Sequence, residues 1–102
     1  LAVLINHGSA SAAEIVASAV KDYQRGAVVG QNSYGKGTVQ TWLDLSNENG
    51  AVRITFARWL TPHGNSVDGE GITPDLEVER SYEQYQAGLD PQLDAAAELL
   101  LQ

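Results

Sequence analysis

The 102-residue chain is predicted to form one α/β domain with parallel strands, an antiparallel hairpin and a C-terminal helix. Two short apolar runs, Leu1–Asn6 and Ala27–Gly30, are typical of strands buried on both faces. Between them, apolar residues recur at three- and four-residue spacing, which is typical of a helix. A strand, a helix and a strand in this order predict parallel strands joined by a right-handed crossover.

The helix between the two strands has recognisable ends. Ser11 and Glu14 fit a capping box, so the helix should begin at or next to Ser11. Arg25 and Gly26 should end it, because glycine suits the left-handed closing position. The residues expected to face the core are Ile15, Val16, Ala19, Val20 and Tyr23.

The second half of the chain is predicted to contain a hairpin and a loop. The β-rich runs Thr38–Leu45 and Ala51–Leu60 flank a polar turn that ends in Asn-Gly, which favours an antiparallel hairpin. Residues 61–73 are expected to be loop, because proline and three glycines interrupt them. A short edge strand at best follows over Pro74–Val78.

The C-terminal helix is predicted to start at Asp90 as the cap, with Pro91 in its first turn. The residues expected to line one face of it are Leu89, Leu93, Ala96 and Leu100.

Composition excludes several classes of function. The net charge of −7 argues against a nucleic-acid partner, because phosphate contacts need clustered Lys and Arg. Residues 68–102 carry nine acidic side chains and one basic one, a run that is usually a solvated face. No cysteine is present, so disulfides and thiolate chemistry are excluded. No apolar run approaches the ~20 residues of a membrane span, and no signal peptide is visible.

Ser11 is the first candidate for chemistry. A serine hydroxyl needs a base before it acts as a nucleophile. At a helix start, free N–H groups, in particular that of Ala12, can stabilise the oxyanion that forms when a carbonyl is attacked. The alternative is that Ser11 only caps its helix, since a capping box has the same residues.

Lys36 is the second candidate. A lysine can replace histidine as the base only when its amine is neutral, and burial is the main way to favour the neutral amine. The glycines on both sides, Gly35 and Gly37, allow a compact loop that could fold the amine over the helix start. The alternative is a solvated loop lysine. A nucleotide-binding P-loop is disfavoured, because Gly37 stands where Ser or Thr is required and a strand follows.

Gln40 is a weaker candidate. On a straight strand it would lie ~13 Å from Lys36 on the same face, but a bend at Gly37 would let its carboxamide approach the amine and orient the base. The histidines, His7 and His63, do not have a metal-ligand spacing.

Taken together, these motifs resemble the catalytic core of the carboxy-terminal processing proteases, serine peptidases with a Ser–Lys dyad. The resemblance runs in the family's order from about residue 1 to the end. The matching segments are Gly8–Ile15, Asp22-Tyr23, Val28–Gly30, Gly35–Gln40, Thr61–Gly64, Gly71–Asp75 and Asp90–Leu93.

The resemblance implies a role for each candidate residue: Ser11 as nucleophile, Lys36 as general base, Gln40 as the residue that orients the lysine and Ala12 as one oxyanion donor. It implies no cofactor and no metal. It further implies a spiral ββα core of the ClpP/crotonase type, an inserted PDZ domain, substrates that are exported polypeptides with an apolar C-terminus, and a periplasmic or cell-envelope location.

The chain also departs from the family. It starts like the middle of a domain, without the first half of the core, its glycine-rich second oxyanion donor or a PDZ domain. We therefore expect residues 1–102 to be the C-terminal part of a catalytic domain that is inactive alone and associates with itself to cover unpaired strands. The alternative function is a non-catalytic ligand-binding module on the same fold, similar to retinoid-binding domains.

Overall fold

The computed structural model describes all residues, 1–102, and contains the predicted parallel sheet. Its strands are β1 (Ala2–Ile5), β2 (Ala27–Gly30) and β5 (Leu76–Glu77), in the order β1-β2-β5. Both pairings are parallel, with Ala2 opposite Ala27 and Val29 opposite Leu76. The strand–helix–strand order of the sequence is thus confirmed.

The first helix, α1 (Ala12–Asp22), connects β1 to β2 and starts where the capping box predicts. The face that it buries differs from the predicted one: Ile15, Val16 and Tyr23 are exposed. The buried residues are Glu14, Ala17 and Ser18. Small side chains let the helix approach its neighbours closely, and Glu14 is buried because hydrogen bonds satisfy its carboxylate.

One small hydrophobic cluster holds the domain together. Its buried members come from β1, α1, β2 and the loop after the hairpin: Ile5, Ala17, Val28, Val67 and Ile72. The expectation that β1 is buried on both faces is wrong for this chain, since Leu1 and Leu4 are exposed. The C-terminal helix, described below, packs against β1 and β2 but leaves both leucines partly accessible.

The predicted hairpin consists of β3 (Thr38–Asp44) and β4 (Ala51–Arg58), joined through a 3-10 turn over Ser46–Glu48. The antiparallel register has one irregularity, between Val39 and Gln40. Most side chains of both strands are exposed, so the hairpin projects from the sheet.

The C-terminal region contains a short helix that the sequence did not predict, α2 (Tyr82–Gln86), with Ser81 as its cap. The predicted tail helix follows as α3 (Pro91–Leu101), capped by Asp90. Only Ala96 of its predicted inner face is buried, and the leucines of that face are exposed. The two longest helices, α1 and α3, have eleven residues each. No helix is long and apolar enough to cross a membrane.

Candidate active site

Ser11 lies at the junction between the β1 loop and α1 in a strained backbone conformation. Its φ of 57° and ψ of −116° are values that favour glycine. A non-glycine residue in such a conformation costs on the order of 1–3 kcal/mol and is concentrated at active sites. A sharp turn into a helix also presents the nucleophilic serine of the α/β-hydrolases. The backbone thus distinguishes Ser11 from an ordinary helix cap.

Ala12 is the first residue of α1. Its N–H has no partner within the helix, because the first N–H groups of any helix lack an acceptor one turn earlier. It directly follows Ser11 and lies at the positive end of the helix dipole. An oxyanion formed at Ser11 could therefore be stabilised here.

The carboxylate of Glu14 lies beneath both candidate residues. Its side chain is 0% exposed. Oε2 accepts from the N–H of Ser11 at 2.8 Å and from the N–H of Lys36 at 3.0 Å. Since both nitrogens contact one oxygen atom, the backbones of Ser11 and Lys36 are held next to each other across 25 positions of sequence.

The second carboxylate oxygen of Glu14, Oε1, also accepts two hydrogen bonds. Oε1 accepts from the hydroxyl of Ser33 and from the N–H of Gly35, each at 2.6 Å. Burial by itself would raise the pKa of Glu14, but the hydrogen bonds from Ser33, Gly35, Lys36 and Ser11 outweigh it and hold the pKa below its ordinary value. The buried charge is therefore stabilised by four donors rather than by a cation.

Sequence reasoning recognised Glu14 only as half of a capping box and missed this role. The available signal was its position three residues after the candidate nucleophile, at the start of an otherwise small, apolar helix turn. The partners that justify its burial lie 19 to 22 residues away, and no local pattern reveals them.

Lys36 lies in the loop between β2 and β3 and is half-buried, so the expected burial of the lysine is only partial in this chain. Its peptide is held on both sides: the N–H donates to Glu14, and the carbonyl accepts from the indole N–H of Trp59 at 2.9 Å. No hydrogen bond joins the Lys36 amine to Ser11 in this structure.

A second loop, which we call the clamp segment (residues 67–72), fixes the lysine loop from the other side. The hydroxyl of Ser33 accepts from the N–H of Ile72 at 2.6 Å. Gly35 O accepts from the N–H of Gly69 at 2.9 Å. The N–H of Gly37 donates to Asp68 Oδ1 at 3.2 Å.

The glycines beside Lys36 permit this close approach. A Cβ added at Gly37 would lie 2.8 Å from the backbone nitrogen of Asp68. One added at Gly35 would lie 2.9 Å from the backbone nitrogen of Gly71, and Gly35 also has a φ of +92°. The predicted compact loop thus has a specific cause, which is the contact with the clamp segment.

Gln40 lies on β3 opposite Thr55. Its carboxamide donates to the hydroxyls of Thr38 at 2.8 Å and Thr55 at 3.1 Å, and makes no hydrogen bond to Lys36. The irregularity between Val39 and Gln40 is the one distortion of this strand. The structure therefore places the backbones of Ser11 and Lys36 side by side. The carboxamide of Gln40 instead forms hydrogen bonds with the two threonines.

A further polar contact, between Asp22 and His63, joins two other parts of the chain. Asp22 Oδ2 accepts from the backbone N–H of His63 at 2.9 Å, and this hydrogen bond is the main reason that the pKa of Asp22 is lowered. The pair ties the loop after the hairpin to the end of α1. No group of three or more His, Cys, Asp or Glu side chains forms a candidate metal site.

Comparison with known proteins decides the family. Residues 1–78 match the sequence profile of peptidase family S41. The chain belongs to peptidase family S41. A carboxy-terminal-processing protease from Bartonella bacilliformis is 52% identical to it over 88 residues, which is 86% of this chain and 20% of that protein.

Solved structures of proteases confirm the predicted fold class. The photosystem II D1 C-terminal processing protease superposes with a TM-score of 0.73 at 43% identity, over 78% of this chain and 20% of that one. The tricorn protease superposes with a TM-score of 0.81 at 28% identity, over 97% of this chain and 10% of that one. The chain spans about one fifth of the length of the first of these relatives.

Proposed function

We propose that residues 1–102 carry the nucleophile and the base of an S41 serine peptidase. Ser11 is the nucleophile, Lys36 the general base, Ala12 an oxyanion donor and Gln40 the residue that orients the lysine. The observation that supports this most is the shared contact of Ser11 and Lys36 with one oxygen of Glu14. Membership of a peptidase family agrees with it.

The proposed reaction is acyl transfer in two steps. The Lys36 amine takes the proton of the Ser11 hydroxyl as Oγ attacks the substrate carbonyl, and the resulting oxyanion is stabilised by the N–H of Ala12. Collapse of the intermediate breaks the peptide bond, and the lysine ammonium returns the proton to the leaving amine. A water, activated by the same amine, then hydrolyses the acyl-enzyme and regenerates Ser11.

The identity of the substrate is part of this proposal. We infer that it is an unfolded exported polypeptide with an apolar C-terminus, cleaved in the periplasm or cell envelope. We further propose that the chain is the C-terminal part of a catalytic domain whose upstream half, with a second oxyanion donor and a PDZ domain, completes the site. Residues 1–102 alone then have little or no peptidase activity.

Two variants test the dyad in the polypeptide that includes the upstream half. Ser11→Ala and Lys36→Ala are each expected to lower kcat by at least about 10³-fold on an unfolded substrate with an apolar C-terminus. Far-ultraviolet circular dichroism checks that both variants fold. Near wild-type turnover by either variant would remove that residue from the mechanism.

A serine-reactive fluorophosphonate probe provides an independent test. We expect it to label wild-type Ser11 and to leave Ser11→Ala unlabelled. A folded protein whose Ser11 stays unlabelled would instead favour a non-catalytic ligand-binding module on this fold.

A further inference from the structure

We propose that Trp59 is a positioning residue for the catalytic lysine, an inference that rests on the proposed function. Its indole N–H donates to the carbonyl of Lys36 at 2.9 Å. An indole has one donor and no acceptor, so this bond uses its whole polar capacity. Trp59 contacts the backbone carbonyl of Lys36, not its amine, and is therefore not itself a catalytic residue.

Trp59 is well suited to fix the lysine loop because it is itself fixed. Trp59 is half-buried and packs against the five-residue hydrophobic cluster of the domain. Its backbone N–H donates to the carbonyl of Gly37 at 2.9 Å. One residue thus binds two consecutive carbonyls of the loop and connects them to the core.

The contact complements that of Glu14. Glu14 binds the N–H of Lys36 and Trp59 binds its carbonyl, so the peptide groups on both sides of the Lys36 Cα are held by side chains from distant parts of the chain. A loop that contains Gly35 and Gly37 has little conformational preference of its own. External contacts must therefore define the direction in which the lysine side chain leaves the backbone, and small displacements of a catalytic group can cost up to about 10²-fold in rate.

The sharpest test replaces Trp59 by 3-benzothienylalanine, which keeps the shape of the side chain and replaces the N–H by sulfur. In the polypeptide that includes the upstream half, we expect kcat to fall about tenfold and KM to change less than twofold. 5-Fluorotryptophan at position 59, which retains the N–H, should restore wild-type kcat.

Trp42 provides the matched control, because it is an exposed tryptophan of the hairpin that Trp59 directly follows, 65% accessible to solvent. The same replacement at Trp42 should leave kcat unchanged. In residues 1–102, the indole N–H of Trp59 should exchange with solvent more slowly than that of Trp42. Proton–nitrogen NMR measures both exchange rates, so the hydrogen bond can be tested without an activity assay.

The outcomes separate the two proposals. Wild-type kcat for the benzothienylalanine variant, while Ser11→Ala is inactive, would overturn the role of Trp59 alone. Equal exchange at the two indoles would overturn it as well. An active Ser11→Ala variant would overturn the proposed function and, with it, any positioning role for Trp59.

Discussion

At the scale of single residues, the site depends on one buried carboxylate. Ser11 alone could be a cap and Lys36 alone could be a loop lysine, and their sequence context does not decide between these roles. Both N–H groups converge on Glu14 Oε2, and this holds the backbones of the two residues side by side. The strained φ of Ser11 is maintained in part by its own hydrogen bond to Glu14.

Replacing Glu14 by Gln tests this role on the isolated chain. The amide keeps the shape of the side chain but puts an NH₂ group where two N–H or O–H donors now point, so it leaves about two donors without an acceptor. We expect the free energy of unfolding near pH 7 to fall by about 3 kcal/mol, as measured by urea denaturation. Glu98→Gln, at an exposed position of α3, should stay within about 0.5 kcal/mol of wild type.

The difference between wild type and Glu14→Gln should depend on pH. The pKa of Glu14 is lower in the folded state than its ordinary value of 4.5. The unfolded chain therefore binds more protons at Glu14 than the folded chain, and the stabilisation is complete above pH 4.5 and is lost as the pH falls through the folded pKa. Asp22 shows a shift in the same direction, but it is present in both proteins and cancels. A difference that stayed constant down to acidic pH would contradict the role of the Glu14 charge.

At the scale of elements, the sequence predicted order and boundaries better than packing. Ala27–Gly30 forms a strand with the predicted limits, and α1 begins next to Ser11, because turn and cap residues act locally. The faces were predicted less well. Periodicity placed Ile15 and Val16 in the core, whereas the buried positions are Glu14, Ala17 and Ser18. Long-range hydrogen bonds allow the burial of Glu14, and a local one allows that of Ser18.

The lysine loop shows the same limit. Its glycines predicted a compact backbone, but the reason for them lies in the clamp segment, 31 to 36 residues further along the chain. Gln40 shows the opposite case: its position on the strand was correct. One of its partners, Thr38, lies on the same strand, and the other, Thr55, depends on a cross-strand register that the sequence does not specify.

Gly37→Ala tests the contact between the lysine loop and the clamp segment. Gly37 does not have a positive φ, so the expected cost comes from the new Cβ, which would lie 2.8 Å from the Asp68 backbone. We expect a loss of about 1–3 kcal/mol in the free energy of unfolding, with changed amide NMR shifts at Asp68 and Gly69. Gly50→Ala, at the open hairpin tip, introduces strain of a different kind, because the φ of Gly50 is +97°, and it should change only the hairpin amides. Unchanged clamp-segment shifts in Gly37→Ala would show that the two loops are not in tight contact.

At the scale of the whole molecule, the chain is extended and exposes much apolar surface. Its radius of gyration is 17.1 Å, compared with about 13 Å for a compact domain of this size, and its longest dimension is 59 Å. The hairpin accounts for part of this. Thr41, Leu43, Val52 and Ile54 share one face of it by register and alternation, and that face has no cover within residues 1–102.

We therefore expect the isolated chain to self-associate through the apolar hairpin face. Contiguous apolar surface of this kind is usually an interaction site or a cause of aggregation. In sedimentation velocity, the average mass should rise above the monomer value of 10.9 kDa as concentration increases. Ile54→Lys places a charge in the centre of the apolar face and should restore the monomer. Ala51→Lys, on the opposite face next to Asp44, should not. A wild-type chain that stays monomeric, or two lysine variants that behave alike, would contradict a role for this face.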